Sequence, residues 1–258
     1  MPGSKRVHLL LQPRDRRLLS FVDSLGAIDR EHATVLGPFS SISRANARLL
    51  ALHRAGYLNR SFVGTIDGGR KAVYFPPGRR RGFADKRRSA ESFIEHQLAV
   101  TDVYLAFSVQ DGNRMSEAEW TTFSAPIVPG SRLIPDGLLI LRPPADPTPL
   151  FIEADRGTES LRIFREKAAK YLEFAYGGHY QELCGGRPFR VIVVTEGERR
   201  CANLAQVVGQ ITPKLFWFTT RQSLKLHGPR GLIWLRPGVP RSPVALHVQQ
   251  IKLVTPPA

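Results

Sequence analysis

The sequence predicts a two-part α+β protein, in which three short helices and a β-hairpin precede a larger α/β region with a partly parallel sheet flanked by helices. Three observations carry this. The chain has 258 residues, near the length at which one core gives way to two. The apolar spacing is helical three times in the first fifty-odd residues and later alternates between strand-length runs and helical stretches. The charge is uneven. Of the net +15, residues 1–88 supply 18 basic minus 6 acidic, or +12, and residues 89–258 supply 19 minus 16, or +3. A field concentrated in this way attracts a polyanion, and nucleic acid is the commonest cytoplasmic one.

Pro13 to Leu25 carries Leu18, Leu19, Phe21, Val22 and Leu25 at helical spacing and stops at Gly26. Asp29 is placed to cap a short helix, Arg30 to Leu36, which Gly37 and Pro38 end. A third helix puts Ile42, Ala45, Leu49 and Leu52 on one face. Phe62, Val63 and Ile66, then Asp67-Gly68-Gly69, then Ala72 to Phe75 read as a hairpin closed by a glycine turn. Helix, helix, helix, hairpin is the winged helix-turn-helix order, expected over residues 1–76. Residues 77–88, with Pro, Gly and a run of basic side chains, are the expected linker, and 89–258 the second domain.

That second domain opens on a long helix, Ser89 to Gln110, with Phe93, Ile94, Leu98, Val103 and Leu105. Strand-length runs follow at Leu133 to Leu141, Leu150 to Glu153, Phe189 to Thr195 and Leu215 to Thr219. Helical stretches at Thr158 to Tyr176 and Cys201 to Ile211 separate them. Trp120, Trp217 and Trp234 lie in apolar contexts that suit a core. Cys184 and Cys201 are in no CxxC arrangement and read as reduced packing residues. With 42% hydrophobic residues the chain can bury real cores. No run approaches the roughly 18 apolar residues of a membrane span, and Met1 to Leu11 does not resemble a secretory signal, so a cytoplasmic protein without membrane partners is expected.

If the third helix buries its apolar stripe, Ser43, Arg44 and Ala47 turn outward, with Arg48 on the flank. Small Ser43 and Ala47 permit close approach to a duplex, and the arginines can reach base edges or phosphates. Arg70 and Lys71 at the hairpin tip, with Arg79 to Arg81 and Lys86 to Arg88, would extend the same surface toward double-stranded DNA.

Ile134-Pro135-Asp136 opens one strand and Phe151-Ile152-Glu153-Ala154-Asp155 lies in another. Residues two apart in a strand share a face, so Glu153 and Asp155 point the same way, and Asp136 joins them if the strands are neighbours. Carboxylates so gathered repel, which calls for a cation: Mg²⁺ or Mn²⁺, or Arg156, Lys167 or Lys170. The stripe Leu161, Phe164, Ala168, Tyr171, Leu172 and Ala175 should face the sheet, and Lys167 borders it more closely than Lys170.

At Ile134-Pro135-Asp136-Gly137 and Phe151 through Glu159 to Lys167 and Tyr171, the chain resembles the PD-(D/E)xK nuclease superfamily, and within it the replication-relaxation family associated with plasmids and mobile elements. The resemblance implies a restriction-endonuclease-like mixed sheet flanked by helices, with Asp136 and Glu153 as metal ligands and an acid from the preceding helix, Glu95 or Glu91. It implies catalysis by Asp136, Glu153 and Lys167, and the metal set considered is Asp136, Glu153, Asp155 and Glu95. The chain departs from the superfamily where the lysine two after the glutamate is Asp155; some members bring that lysine from the following helix, where Lys167 and Lys170 stand. Two readings stay open: a divalent-metal-dependent DNA endonuclease, or a non-enzymatic transcriptional or replication regulator with a catalytically dead nuclease fold. A protein-docking adaptor is a third, and a homodimer is compatible with each.

Overall fold

The computed structural model describes residues 9–65, 68–78, 87–110, 114–115, 118–141, 148–238 and 244–245. The chain divides into two compact units, Met1–Asp102 and Val103–Ala258. The first holds α1 (Pro13–Leu25), β1 (Ile28–Asp29), α2 (Arg30–Leu36), α3 (Ile42–Arg54), β2 (Asn59–Gly64), β3 (Arg70–Phe75) and the front of α4 (Arg87–Ser108). Its strands pair antiparallel in the order β1-β3-β2.

Local chemistry sets the helix ends. Pro13 suits a first turn whose N–H groups have no partner, and the Gln12 N–H donates to Asp15 Oδ2 at 2.6 Å. Asp29 caps α2, accepting from the N–H groups of Glu31 at 2.9 Å and His32 at 3.0 Å. Ser41 caps α3 through the Arg44 N–H at 3.3 Å. Helix α3 buries Ala45, Leu49 and Leu52, whereas Ile42, expected on that face, is 46% exposed in the first turn. The two-residue strand β1 has too few residues to show a period, and the sequence did not announce it.

The unit boundary falls inside α4 rather than at residues 77–88. Ile94 and Leu98 of α4 close a small core with Ala27, Val63 and Val73. Thr101 Oγ1 donates to the Ala27 carbonyl at 2.8 Å, and Glu91 accepts from the Gly64 N–H at 2.9 Å. His32 accepts the Asp29 N–H at Nδ1 and so donates from Nε2 to Asp102, 2.7 Å away. These bonds and apolar contacts bind the front of α4 to the first unit. The expected basic residues Arg79 to Arg81 and Lys86, and the turn residues Ile66 and Asp67, lie outside the described residues, and Arg87 and Arg88 begin α4.

The second unit contains, in order, β4 (Val109–Gln110), β5 (Arg114–Met115), β6 (Ala118–Thr121), β7 (Gly137–Leu141), β8 (Thr148–Asp155), α5 (Leu161–Tyr176), α6 (Tyr180–Cys184) and β9 (Arg190–Thr195). After them come α7 (Glu198–Gly209), β10 (Phe216–Thr220), α8 (Arg221–His227), β11 (Leu232–Trp234) and β12 (Val244–Ala245). A five-stranded mixed sheet runs β10-β9-β8-β7-β6, parallel from β8 to β10 and antiparallel from β6 to β8. Parallel neighbours need long crossovers, and α5 and α7 supply them.

Phe151, Val191, Val193, Phe216 and Phe218 meet Phe164, Tyr171, Phe174, Leu204 and Val208 of those helices in the main core. Phe151 sits in an aromatic nest with Phe189, Phe174 and Tyr171 at ring separations of 5.0, 5.5 and 5.8 Å. Each such side chain contributes roughly 1.5–3 kcal/mol of burial. Cys184 and Cys201 are free and buried, and burial pushes their thiols up to about 12 and about 11, so both are inert packing groups. Among the described residues no helix is long and apolar enough to cross a membrane.

Candidate functional site

On α3 the buried stripe leaves Ser43, Arg44 and Ala47 exposed, with Asn46 beside them. Arg44 Nη1 donates to Ser40 Oγ at 2.7 Å, which leaves its other donors directed to solvent. Arg48 is differently placed. Its Nε donates to Asp15 Oδ1 at 2.8 Å, Nη2 pairs with Asp15 Oδ2, and Nη2 also donates to the Leu10 carbonyl at 2.9 Å. Asp15 is fully buried, so this fork ties α3 to α1. Burial alone would raise the Asp15 carboxyl, but the Arg48 hydrogen bonds and charge hold it below its ordinary value. Lys71 is likewise engaged, 2.9 Å from Asp29 Oδ2. Arg70 is exposed; it donates to the Phe62 carbonyl at 3.2 Å and lies 5.8 Å from the Phe62 ring centroid.

In the second unit the antiparallel pairing of β7 with β8 sets Gly137 opposite Ile152. Just ahead of β7, the Asp136 N–H donates to the Ile152 carbonyl at 3.2 Å, and Asp136 Oδ2 accepts the Ala154 N–H at 2.7 Å. A Cβ on Gly137 would fall 2.1 Å from the Trp120 ring, which explains the glycine after Asp136. Glu153, at the heart of β8, is 2% exposed and points to α5. Its Oε2 accepts from Lys167 Nζ at 2.8 Å and its Oε1 from the Tyr171 hydroxyl at 2.6 Å. Lys167 and Tyr171 are one helical turn apart, so one face of α5 presents both donors.

Charge is unevenly matched here. Glu153 is pushed up to about 7, first by burial and then by the Asp136 charge, with Lys167 and the Tyr171 hydroxyl opposing. Burial disfavours the Lys167 ammonium, but the charges of Glu153 and Asp136 outweigh it and hold Lys167 above its ordinary value. Glu159 Oε2 stands 3.8 Å from the same ammonium. Three carboxylates thus act on one lysine.

Asp155 takes no part in that group. Both its oxygens are gripped by Arg200 of α7, Nε at 2.8 Å and Nη2 at 2.7 Å, while Gly157 N–H donates to Oδ1 at 2.9 Å. Gly157 has φ +77°, which the turn out of β8 requires. Arg200 also donates to the Glu159 carbonyl at 2.7 Å. Sequence reasoning missed Arg200, which sits 45 residues from Asp155 with no motif to link them. It also missed that Tyr171, counted as apolar stripe, ends on Glu153.

Among the described residues no three or more His, Cys, Asp or Glu side chains are grouped so as to hold a metal ion. Glu95 lies on α4 in the first unit. Asp136 and Glu153 remain as two hard oxygen donors of coupled charge, and an ion on that pair would complete its shell with water or phosphate oxygens.

The replication-relaxation family model matches residues 30–188. The chain belongs to the replication-relaxation family. The match runs from α2 through α6 and so includes α3, Asp136, Glu153 and Lys167. Comparisons with curated proteins and with solved structures returned no match. Membership assigns this family member a replication-related role.

Proposed function

We propose that the protein binds duplex DNA in the replication of plasmids or mobile elements, through a winged helix-turn-helix in its first unit, with a PD-(D/E)xK nuclease-like domain in its second. The observation that carries the reading is the exposed face of α3, where Ser43, Arg44 and Ala47 stand outward on a helix fixed from behind by Leu49, Leu52 and the Arg48–Asp15 fork. The order of three helices and the β1-β3-β2 sheet supports it, with Arg70 on the hairpin as a backbone contact. Arg48 and Lys71 support this surface from within, through Asp15 and Asp29, and do not read bases.

In the second unit Asp136 and Glu153 would hold Mg²⁺ or Mn²⁺. The ion would supply an acidified water and charge neutralisation at a phosphodiester. The chain's own residues do the rest: Tyr171 and Lys167 orient the Glu153 carboxylate, Lys167 provides the positive charge that a phosphate would meet, and Arg200 cancels Asp155 beside them. A second reading, a replication or transcription regulator without catalysis, is favoured by one observation: both Glu153 oxygens already accept hydrogen bonds.

One experiment separates these. Duplex affinity should fall about tenfold in Arg44→Ala and steeply with salt. Unchanged affinity in that variant ends the α3 assignment. With Mg²⁺ or Mn²⁺ the wild type should nick or cut DNA, and Glu153→Gln should abolish cutting while leaving binding intact. If the wild type cuts no supercoiled, linear or single-stranded DNA with either ion, the regulator reading stands.

A further inference from the structure

The basic character of the second unit is more concentrated than its net charge suggests. Residues 103–198 carry 10 basic and 13 acidic side chains, a balance of −3, whereas residues 199–258 carry 9 basic and no acidic ones, a balance of +9. One place in the second unit brings two arginines together on the sheet. Trp217 of β10 pairs with Ile192 of β9, and Arg190 lies two residues before Ile192, so Arg190 and Trp217 occupy one face. Phe218 and Leu235 exchange N–H···O bonds of 2.9 and 2.8 Å, which brings Arg236 alongside Trp217. The Arg236 guanidinium lies 5.7 Å from the Trp217 ring centroid.

These groups offer donors and meet few acceptors. The Nε atoms of Arg190 and Arg236 and the indole N–H of Trp217 are buried and have no hydrogen-bond partner among the described residues. Arg190 Nη1 donates only to its neighbour's carbonyl, that of Phe189, at 3.1 Å. Neither arginine forms an ion pair with a described carboxylate, in contrast to Arg48 and Arg200. Burial and then the Arg236 charge push Arg190 below its ordinary value, so the two cations are near enough to repel. A half-buried pair of guanidinium groups beside an indole N–H, with no compensating acid among the described residues, is an arrangement that an oxyanion relieves.

We infer that Arg190, Trp217 and Arg236 form a phosphate-binding site through which the second unit grips the nucleic-acid backbone. The inference rests on the reading of the protein as a DNA-binding one and adds a contact remote in sequence from α3. Guanidinium forks match phosphate oxygens in pairs, and the site carries no base-reading geometry, so it should act alike on all sequences.

The test uses the full chain and a labelled duplex of about 30 base pairs over a salt series. Arg190→Gln and Arg236→Gln should each weaken binding about tenfold, by a similar factor for unrelated sequences. Each should lower the slope of log affinity against log salt by about one. Arg236→Lys, which keeps the charge, should keep most of the slope. Trp217→Phe should remove the tryptophan fluorescence change on DNA addition, a readout that does not depend on either glutamine variant folding well. Wild-type slope and affinity in folded Arg190→Gln and Arg236→Gln proteins overturn the site. So does a fluorescence change in Trp217→Phe equal to wild type. Titration with inorganic phosphate and with ATP distinguishes the source: stabilisation by either one, lost in Arg236→Gln while the DNA slope is unchanged, assigns the site to a free phosphate and overturns the backbone contact. Arg44→Ala in the same series keeps the two ideas apart. If it binds normally while the Arg236 variant does not, the α3 reading fails and this one holds; the reverse result does the opposite.

Discussion

Asp15 in the first unit and Glu153 in the second are both buried carboxylates that meet a basic side chain from a neighbouring helix, yet their protons are held in opposite ways. Asp15 receives two hydrogen bonds from Arg48 and one from the Gln12 N–H, and it sits below its ordinary value. Glu153 receives Lys167 and a hydroxyl, shares that lysine with Asp136 and Glu159, and rises to about 7. The difference is stoichiometric. One fork per acid satisfies a structural pair, whereas Glu153 shares its single ammonium with neighbouring carboxylates and its burial favours the protonated form. Asp155 beside Glu153 follows the first pattern, with Arg200 in the part of Arg48. Within a few residues of β8 the chain therefore holds one carboxylate locked for structure and one left under tension, and the second is the one expected to do chemistry.

The largest expected effect is in the Lys167 pair. Lys167→Met leaves Glu153 buried without its cation and should cost about 3–5 kcal/mol, whereas adding Glu153→Gln in the same chain should recover most of that loss. Urea unfolding of the single and double variants measures it. A double variant as unstable as Lys167→Met would mean that the pair is ordinary structure.

The pH dependence sharpens the contrast, with opposite signs. Glu153 moves from 4.5 to about 7 on folding, so the folded state holds more protons between those values. Its stability contribution therefore falls as pH rises through that window, by up to about 3 kcal/mol. Asp15 is depressed, so its contribution is present above its ordinary value of 3.8 and is lost as pH falls through its folded value. In divalent-free buffer, Glu153→Gln should flatten the profile between pH 4.5 and 7, and Asp15→Asn should flatten it only below about 4. Thermal unfolding across pH 3 to 8 tests both; a Glu153→Gln profile parallel to wild type between 4.5 and 7 would falsify the account.

The smallest effect concerns Lys71. Its ammonium is about one-third exposed, and Asp29 keeps its two cap bonds without it. Lys71→Ala should cost no more than about 1 kcal/mol of stability, whereas Asp29→Ala, which removes the cap, should cost roughly 0.5–2 kcal/mol. Denaturant midpoints of the two variants rank them, and equal or reversed values would show that the ion pair matters more than the cap.

What the sequence determined by itself is local or periodic. Helical spacing announced α2 and α3, with Asp29 as the cap of α2, and the stripe on α5 set Lys167 at its border rather than Lys170. The alternation in β8 put Glu153 and Asp155 on one face, and the quoted motifs carried the family resemblance. Tertiary structure decided what depends on partners far apart in the chain. Arg48 could be read as a flank arginine within reach of DNA, and the fold pairs it with Asp15, 33 residues away. Asp155 could be read as a metal ligand until Arg200 closed on it, and the unit boundary could be drawn at a basic linker until Ile94, Leu98 and Thr101 joined α4 to the first core. The physical reason is common to these cases. Periodicity fixes the direction in which a side chain leaves the backbone, but the charge or surface it meets there comes from another element, and only folding brings that element into place.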